Sequence, residues 1–283
     1  MSVRIIIDST TDVSPAYQGR VRVVPLTIRF GDTELIDGVT VSRQRFYEML
    51  VESDALPTTS QATPAAFEGE FAAAAQAGDS AVVLTISAQL SGTYQSACIA
   101  AQDFENVVVV DSRSATIGAG ILAQYAVDCA AKGMSAAEIA ARLEEKRDDV
   151  CVIALLDTLE YLRRGGRISK TAAIAGGLLN LKPVVSIENG QVSVIGRARG
   201  SRQGNNLLMQ KIRDCGGVDF DLPVLLGYTG LSDALLRKYM EDSRAVWEGH
   251  ADALSQVQVG SVIGTHGGPG AGVAAFFRKG SRA

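Results

Sequence analysis

Short apolar runs alternate with longer amphipathic runs through the first half of the chain. The apolar runs predict strands at residues 3–7, 21–26, 81–86, 107–110 and 150–155, and two further strands, 27–30 and 33–36, flank the Gly31-Asp32 turn. Helices are predicted at residues 42–53, 63–78, 91–102, 114–132 and 135–148, with start signals at Thr63-Pro64 and at Ser135 followed by Glu138. This alternation predicts a mostly parallel sheet flanked by helices.

The second half of the chain carries a different pattern. Apolar runs at residues 183–187 and 191–195 flank Asn189-Gly190, a pair that supplies the positive φ angles of a type I′ hairpin turn. Helices are predicted at residues 201–215 and 232–247, and strands at 224–228 and 257–263. A hairpin among helices indicates a mixed sheet. We therefore predict an α/β protein with two domains, an N-terminal α/β domain at residues 1–156 and a C-terminal α+β domain at residues 157–283.

Small polar residues follow the apolar run 81–86. Ser91, Gly92 and Thr93 stand where the next helix is predicted to begin. In open α/β sheets, ligands bind beyond the carboxyl ends of the strands, where the first N–H groups of a helix lack partners and favour an anion. Two interpretations stay open from this segment alone: an anion site, or a Ser91 that only caps its helix.

Composition and charge narrow the class of protein. Of the 283 residues, 47% are hydrophobic and 20% are charged, as in ordinary soluble globular proteins. No apolar run approaches the roughly 18 residues needed to span a bilayer, and no secretory signal is evident, so a cytoplasmic location is expected. The net charge of -4 argues against nucleic-acid binding. Residues 163–202, however, carry eight basic residues against Glu188 alone, a net +7 that favours an anionic ligand or an acidic partner.

Few side chains are available for catalysis. The four cysteines lie far apart without metal-site spacing, so we expect them to pack in the core. His250 is expected at the surface. His266 is expected at the end of the strand 257–263, beside a glycine-rich loop, where side chains point into a cleft; a turn histidine with satisfied hydrogen bonds is the alternative. Neutral hydroxyls, exposed backbone and one histidine suit hydrogen bonding to a carboxylate, and no catalytic residue, cofactor or metal site is predicted.

The order of the polar segments resembles the DegV family of bacterial fatty-acid-binding proteins. The matching segments are Asp8-Ser9-Thr10, Pro57-Thr58-Thr59-Ser60-Gln61, Leu90-Ser91-Gly92-Thr93-Tyr94, Asp111-Ser112, Thr158-Leu159-Glu160-Tyr161-Leu162, Gly165-Gly166-Arg167-Ile168, Leu181-Lys182-Pro183, Ile263-Gly264-Thr265-His266 and Gly268-Pro269-Gly270. They span nearly the whole chain. Two departures, Ala62 in place of a common proline and Gly267 in place of an apolar residue, remove no binding group.

The resemblance implies a two-domain protein that encloses one long-chain fatty acid, such as palmitate, in an apolar tunnel between its domains. It assigns the fatty-acid carboxylate to Thr59, Ser91 and His266. The residues expected to support them are Ser60, Gly92, Thr93 and Arg167. The resemblance also implies a lipid carrier without activity of its own, which presents the acid to a separate ATP-binding fatty acid kinase that makes acyl-phosphate.

Other functions remain open at this point. One alternative is a hydrolase or phosphotransferase with Ser91 as nucleophile and His266 as base. A weaker one is a regulatory module that binds nucleic acid through residues 163–202, although no nucleic-acid partner is expected. In a carrier, the same basic segment would contact the kinase or, transiently, an anionic membrane. A monomer is the expected state.

Overall fold

Three sheets organise the chain. The computed structural model describes residues 2–53, 55–168, 181–251 and 254–280. The first sheet has four parallel strands in the order β2-β1-β6-β7, formed by β1 (Val3–Asp8), β2 (Arg22–Val24), β6 (Ser80–Thr85) and β7 (Val107–Asp111). A small antiparallel sheet, β4-β3-β5, comprises β3 (Thr27–Phe30), β4 (Thr33–Ile36) and β5 (Thr58–Ser60). The predicted parallel sheet is confirmed.

The second large sheet is mixed, as predicted. Its order is β10-β9-β8-β13-β11-β12, formed by β8 (Val150–Leu155), β9 (Leu181–Glu188), β10 (Gln191–Arg199), β11 (Leu225–Tyr228), β12 (Ser255–Gln258) and β13 (Gly272–Phe277). Only β11 and β12 pair in parallel. The β9–β10 turn has φ of 51° at Asn189 and 79° at Gly190, as a type I′ turn requires.

The helices of the described residues are α1 (Pro15–Gln18), α2 (Arg43–Glu52), α3 (Pro64–Gln76), α4 (Thr93–Ala100), α5 (Thr116–Ala131), α6 (Ala136–Lys146), α7 (Glu160–Arg164), α8 (Gly200–Asp214), α9 (Ala234–Asp242), α10 (Arg244–Trp247) and α11 (Ser261–Gly267). Six of them begin and end within two residues of their predicted bounds: α2, α3, α4, α5, α6 and α8. Thr63 caps α3 by accepting the Ala66 N–H, and Ser135 and Glu138 form the predicted capping box of α6. The caps supply partners for N–H groups that helix starts leave free.

Helix α5 lies between the two large sheets. Twelve of its sixteen residues are buried, and it contacts β1 and β6 of the first sheet and β8, β11 and β13 of the second. Both sides of the helix face protein, which fits a sequence that is apolar on all faces and has no amphipathic stripe. Gly120 allows the close approach, since a Cβ there would lie 1.9 Å from the Asp12 carbonyl oxygen. Helix α5 thereby joins the two sheets into one core.

The predicted strand 257–263 is wrong beyond Gln258, because β12 ends there and α11 begins at Ser261. The Gly260 N–H donates to Asp12 Oδ1 at 3.0 Å, so the chain leaves the sheet at this residue. His266 therefore lies in the last turn of a helix rather than at the end of a strand. A short apolar run has the same pattern in a buried helix and a buried strand, so the sequence did not separate the two.

Two other boundaries also differ from the predictions. The predicted helix 232–247 is divided into α9 and α10 at Ser243, whose hydroxyl donates to the Tyr239 carbonyl and accepts from Trp247 Nε1. Strand β8 belongs to the mixed sheet, so the chain changes sheets before the predicted domain boundary at residues 156–157. The division into two domains stays a prediction. In the described ranges, no helix is both long enough and apolar enough to cross a membrane.

Candidate functional site

An open cavity, whose empty space of about 980 Å³ includes solvent at its mouth, lies beside α5 and the mixed sheet. Its walls come from α5, α11, the β9–β10 hairpin, strands β8 and β13, and the loops that follow β6 and β12. The apolar lining residues are Leu26, Ile86, Leu90, Ala115, Val152, Ala154, Leu156, Leu162, Val185, Ile187, Val192, Val259, Val262, Ile263, Ala271 and Val273. The lining is that of a site for an apolar ligand.

Three threonines in the wall have hydroxyls that are already bonded to the protein. Thr10 donates to Asp8, Thr116 donates to Asp12 Oδ2 at 2.8 Å, and Thr229 accepts the Ala271 N–H at 2.8 Å. Few polar groups in this part of the wall therefore remain free to bond a ligand.

Polar groups meet in one part of the cavity. Thr59, Ser91 and His266 all line it, although they come from β5, from the loop before α4 and from α11. Thr59 Oγ1 lies 2.9 Å from His266 Nε2. Pairing of β5 with β3, with Thr59 opposite Ile28, places this threonine toward α11. The three residues to which the carboxylate was assigned therefore line one cavity, and two of them, Thr59 and His266, are in contact.

Ser91 is held by its neighbour Thr93. Ser91 Oγ accepts the Thr93 N–H at 3.2 Å and lies 2.9 Å from Thr93 Oγ1, which in turn accepts the Ala62 N–H at 3.3 Å. Ser91 therefore bonds the first turn of α4 and lines the cavity at the same time. The two interpretations of this segment are compatible, because the bond to the Thr93 N–H uses only a lone pair of the Ser91 hydroxyl.

His266 is a neutral imidazole at neutral pH. Its burial, together with the positive charge of Arg167, lowers the pKa of His266 to about 4. Nδ1 is buried without a hydrogen-bond partner, and a Cβ at Gly165 would lie 2.1 Å from it. Glycine at position 165 is therefore what allows the ring to reach Thr59.

The supporting residues fall into two groups. Arg167 lines the cavity, and its side chain donates from Nε to the Leu90 carbonyl at 3.1 Å and from Nη1 to the Gly165 carbonyl at 2.7 Å. This arginine thereby ties the Ser91 loop to the segment that packs against His266. Ser60 is an exposed lining residue, and Thr93 and Gly92 act through the start of α4.

Gln61 is a further polar residue of the cavity, and the sequence alone indicated no role for it. It lines the cavity, donates from Nε2 to Ser96 Oγ at 2.9 Å, and lies so close to Gly92 that a Cβ there would be 2.0 Å from its Oε1. Its position beside Thr59 and Ser60 is the only sequence signal for it.

The contact of the hairpin tip with the Ser91 loop was also missed. Ser87 donates from Oγ to the Gly190 carbonyl at 2.7 Å, and Gln191 Nε2 donates to Gln89 Oε1 at 3.1 Å. The hairpin thus covers the cavity and is fixed to the loop that carries Ser91. No local signal in the sequence pairs these segments, which are about a hundred residues apart.

Buried carboxyl groups lie behind the wall of the cavity. Asp12 is fully buried, accepts from Thr116 and Gly260, and lies 2.8 Å from Arg43 Nη2. Burial raises the pKa of Asp12 to about 6, and it also raises the pKa values of Asp8 and Asp37. The sequence indicated no function for these acids. In the structure, their hydrogen bonds join the loops around the cavity.

The geometry does not assemble a serine nucleophile with its base. Among the hydrogen bonds of the described residues, Ser91 bonds Ser87 and Thr93 while His266 bonds Thr59, with none between Ser91 and His266. Nor does a carboxylate orient the free Nδ1 of the imidazole. Within the described part of the chain, no group of three or more histidine, cysteine, aspartate or glutamate side chains is placed to hold a metal ion.

Comparisons with known proteins agree with this architecture. A family model described as "Uncharacterised protein, DegV family" matches residues 2–279. A DegV domain-containing protein of Caldanaerobacter subterraneus is 34% identical, over 98% of this chain and 99% of the relative. A solved DegV family protein from Thermus thermophilus, described as binding fatty acid, is 32% identical with a TM-score of 0.87, over 98% of this chain and 100% of that one.

A DegV lipid-binding protein from Thermotoga maritima is 27% identical with a TM-score of 0.85, over 99% of this chain and 100% of that one. The family model covers nearly all of the chain, and the two solved structures share its fold along their whole length. The polar segments quoted from the sequence lie within the matched residues. The chain belongs to the DegV family.

Proposed function

We propose that this protein binds one long-chain fatty acid, with the tail in the apolar cavity and the carboxylate at Thr59 and Ser91. The observation that carries the proposal is that the hydroxyls of Thr59 and Ser91 line the same largely apolar cavity. The fatty-acid and lipid binding described for the relatives from Thermus thermophilus and Thermotoga maritima supports the same ligand class.

The direction of the hydrogen bonds favours an anion over a neutral ligand. If His266 Nε2 carries the ring proton, it donates to Thr59 Oγ1 and leaves the threonine proton free to donate. Ser91 accepts the Thr93 N–H, and when Thr93 is also the donor of the 2.9 Å contact between the two hydroxyls, the Ser91 proton is available to the ligand. His266 and Thr93 are then positioning residues, and the carboxylate receives two charge-assisted hydrogen bonds.

The tail supplies most of the affinity in this proposal. Burial of a C16 chain gains about 0.8 kcal/mol for each methylene, on the order of 12 kcal/mol in total before the cost of association. The bonded wall threonines add little desolvation cost, because their hydroxyls keep their partners when the ligand enters. The polar end then determines the orientation of the ligand rather than the strength of binding.

We further propose that the bound acid is presented to a separate ATP-binding kinase for acyl-phosphate formation. Ser60 and Gln61 line the cavity and are exposed, so the carboxylate end lies near the surface. Arg197, Arg199 and Arg202 are exposed and could meet an acidic face of the kinase. Of the other basic residues, Arg163 and Arg164 contact Glu160, Lys182 contacts Asp157, and Lys170 lies outside the described residues.

Mass spectrometry tests the ligand. Denaturing extraction of the purified protein is expected to release close to one equivalent of fatty acid, and the double variant Thr59→Ala, Ser91→Ala is expected to lose most of it. Thr33→Ala is the matched control, since Thr33 is an exposed hydroxyl outside the cavity. Protein that is empty after purification and does not take up added fatty acid would refute the proposal.

The hydrolase or phosphotransferase alternative has its own test. A fluorophosphonate probe labels a serine that a base activates, and the missing Ser91–His266 contact leads us to expect no labelling at Ser91. Labelling that disappears in both Ser91→Ala and His266→Gln, together with turnover by the isolated protein, would favour the enzyme instead.

A further inference from the structure

Two cysteines from distant parts of the chain lie against each other at the far side of the mixed sheet. Cys151 is the second residue of β8, and Cys215 follows the last residue of α8. Both thiols are reduced and partly exposed, and the two groups are in hydrogen-bonding contact. They stand apart from the cavity, because Cys151 packs with the cluster under α8 while its neighbour Val152 lines the cavity.

Backbone pairing holds this contact in place. After α8 the chain turns through Gly216 and Gly217, and the Gly217 carbonyl accepts the Lys279 N–H at 3.0 Å. Strand β13, which ends just before that residue, pairs with β8 and places Phe276 opposite Cys151. The end of α8 and the start of β8 are therefore fixed to the same strand.

The surroundings favour the thiolate at Cys215. The hydrogen bond from Cys151 and the nearby Arg278 guanidinium stabilise this thiolate and lower the pKa of Cys215, while burial, Asp214 and Glu188 act in the opposite direction. Arg278 is held by Asp149, with Nε 2.8 Å from Oδ1. The pKa of Cys151 is raised, since that thiol is the donor and is more deeply buried.

We propose that Cys151 and Cys215 form a reversible intramolecular disulfide when the protein meets hydrogen peroxide. The Cys215 thiolate attacks a peroxide oxygen, which forms a sulfenic acid as the O–O bond breaks and hydroxide leaves. The Cys151 sulfur then attacks the sulfenic sulfur, the S–S bond forms, and the departing hydroxide takes the Cys151 proton as water. Two thiols are oxidised, one peroxide is reduced, and two waters are produced.

The other two cysteines serve as internal controls. Cys98 is in contact with Tyr94, and Cys129 with Tyr125. Burial raises the pKa of Cys129, which disfavours its thiolate. The variant Cys98→Ser, Cys129→Ser therefore keeps only the pair in question.

The test uses full-length protein, reduced and then treated with equimolar hydrogen peroxide. After denaturation and alkylation with iodoacetamide, we expect a monomer that has lost two hydrogen atoms and carries no label at Cys151 or Cys215. A non-reducing peptide map should show these two residues linked, in the wild type and in Cys98→Ser, Cys129→Ser. Dithiothreitol should restore both thiols.

Single variants separate the two steps. In Cys151→Ser, Cys215 is expected to stop at a sulfenic acid that dimedone traps, whereas in Cys215→Ser the dimedone adduct should be lost. Full alkylation of both residues after peroxide, or linkage only after the protein is unfolded, would overturn the proposal. Neither result bears on fatty-acid binding, because neither cysteine lines the cavity.

Discussion

Replacement of His266 by glutamine should change how the stability of the protein depends on pH. Glutamine Nε2 reaches about as far as histidine Nε2 and can still donate to Thr59 Oγ1, but it does not titrate. The pKa of His266 is lowered to about 4 by burial and by Arg167, from an ordinary value of 6.5. The unfolded chain therefore binds a proton between pH 6.5 and 4 that the folded protein does not bind.

The size of the effect follows from this difference. The neutral imidazole contributes its full stability above pH 6.5, and the contribution is lost as the pH falls toward 4. At about 1.4 kcal/mol for each pKa unit, the loss amounts to at most about 3 kcal/mol of unfolding free energy. Asp12 acts in the opposite direction, because its pKa is raised to about 6 and the folded state gains stability over the same range. Only the difference between wild type and His266→Gln isolates the histidine.

Urea unfolding of both proteins from pH 7.5 to pH 4 measures that difference. We expect the free energy of unfolding of wild type minus variant to be constant above pH 7 and to fall by up to about 3 kcal/mol by pH 4. If the difference in unfolding free energy does not change over this range, His266 is not a buried neutral imidazole. The chain has only two histidines, so the ring signal missing from the variant's NMR spectrum belongs to His266, and its titration midpoint should lie near pH 4.

Two further predictions concern the backbone. Gly190→Ala should destabilise the protein by about 1–3 kcal/mol in urea unfolding, because alanine is strained at φ 79° and its Cβ would lie 2.4 Å from Ser87 Oγ. Gly133→Ala is the matched control, since φ there is 82° with no atom near the Cβ, and an equal loss in both would contradict the role of the Ser87 contact. Ser135→Ala should cost about 1 kcal/mol through loss of the cap on α6, and an unchanged urea midpoint would argue against the capping box with Glu138.

Local patterns predicted the elements whose causes are local. The Asn189-Gly190 turn, the Thr63 cap and the Ser135 capping box each depend on residues within a few positions of one another, and all three are present. The parallel first sheet followed from the alternation of apolar and amphipathic runs, since parallel strands need crossover helices. Fold class was therefore accessible from the pattern alone.

One failure arose where a distant residue decides the local structure. Gly260 leaves the sheet because its N–H bonds Asp12, almost 250 positions earlier, and this is what places His266 on a helix. The sequence pattern of the apolar run contains no record of that bond. The other failure is local, since the Ser243 hydroxyl bonds Tyr239 and Trp247, four residues to either side, at the point where periodicity predicted a continuous helix.

In the proposed complex, hydroxyls hold the carboxylate and a cation lies beside them. Arg167 lies at the cavity, where two of its five donors bond the carbonyls of Leu90 and Gly165, and its charge also acts through space. Burial and this charge keep His266 neutral, and a ring proton on Nε2 is then donated to Thr59. A fixed bidentate pair would retain the head group strongly and occupy both of its oxygens. In the proposed complex, hydroxyl donors would orient the carboxylate and leave lone pairs of its oxygens free for the proposed transfer of a phosphoryl group.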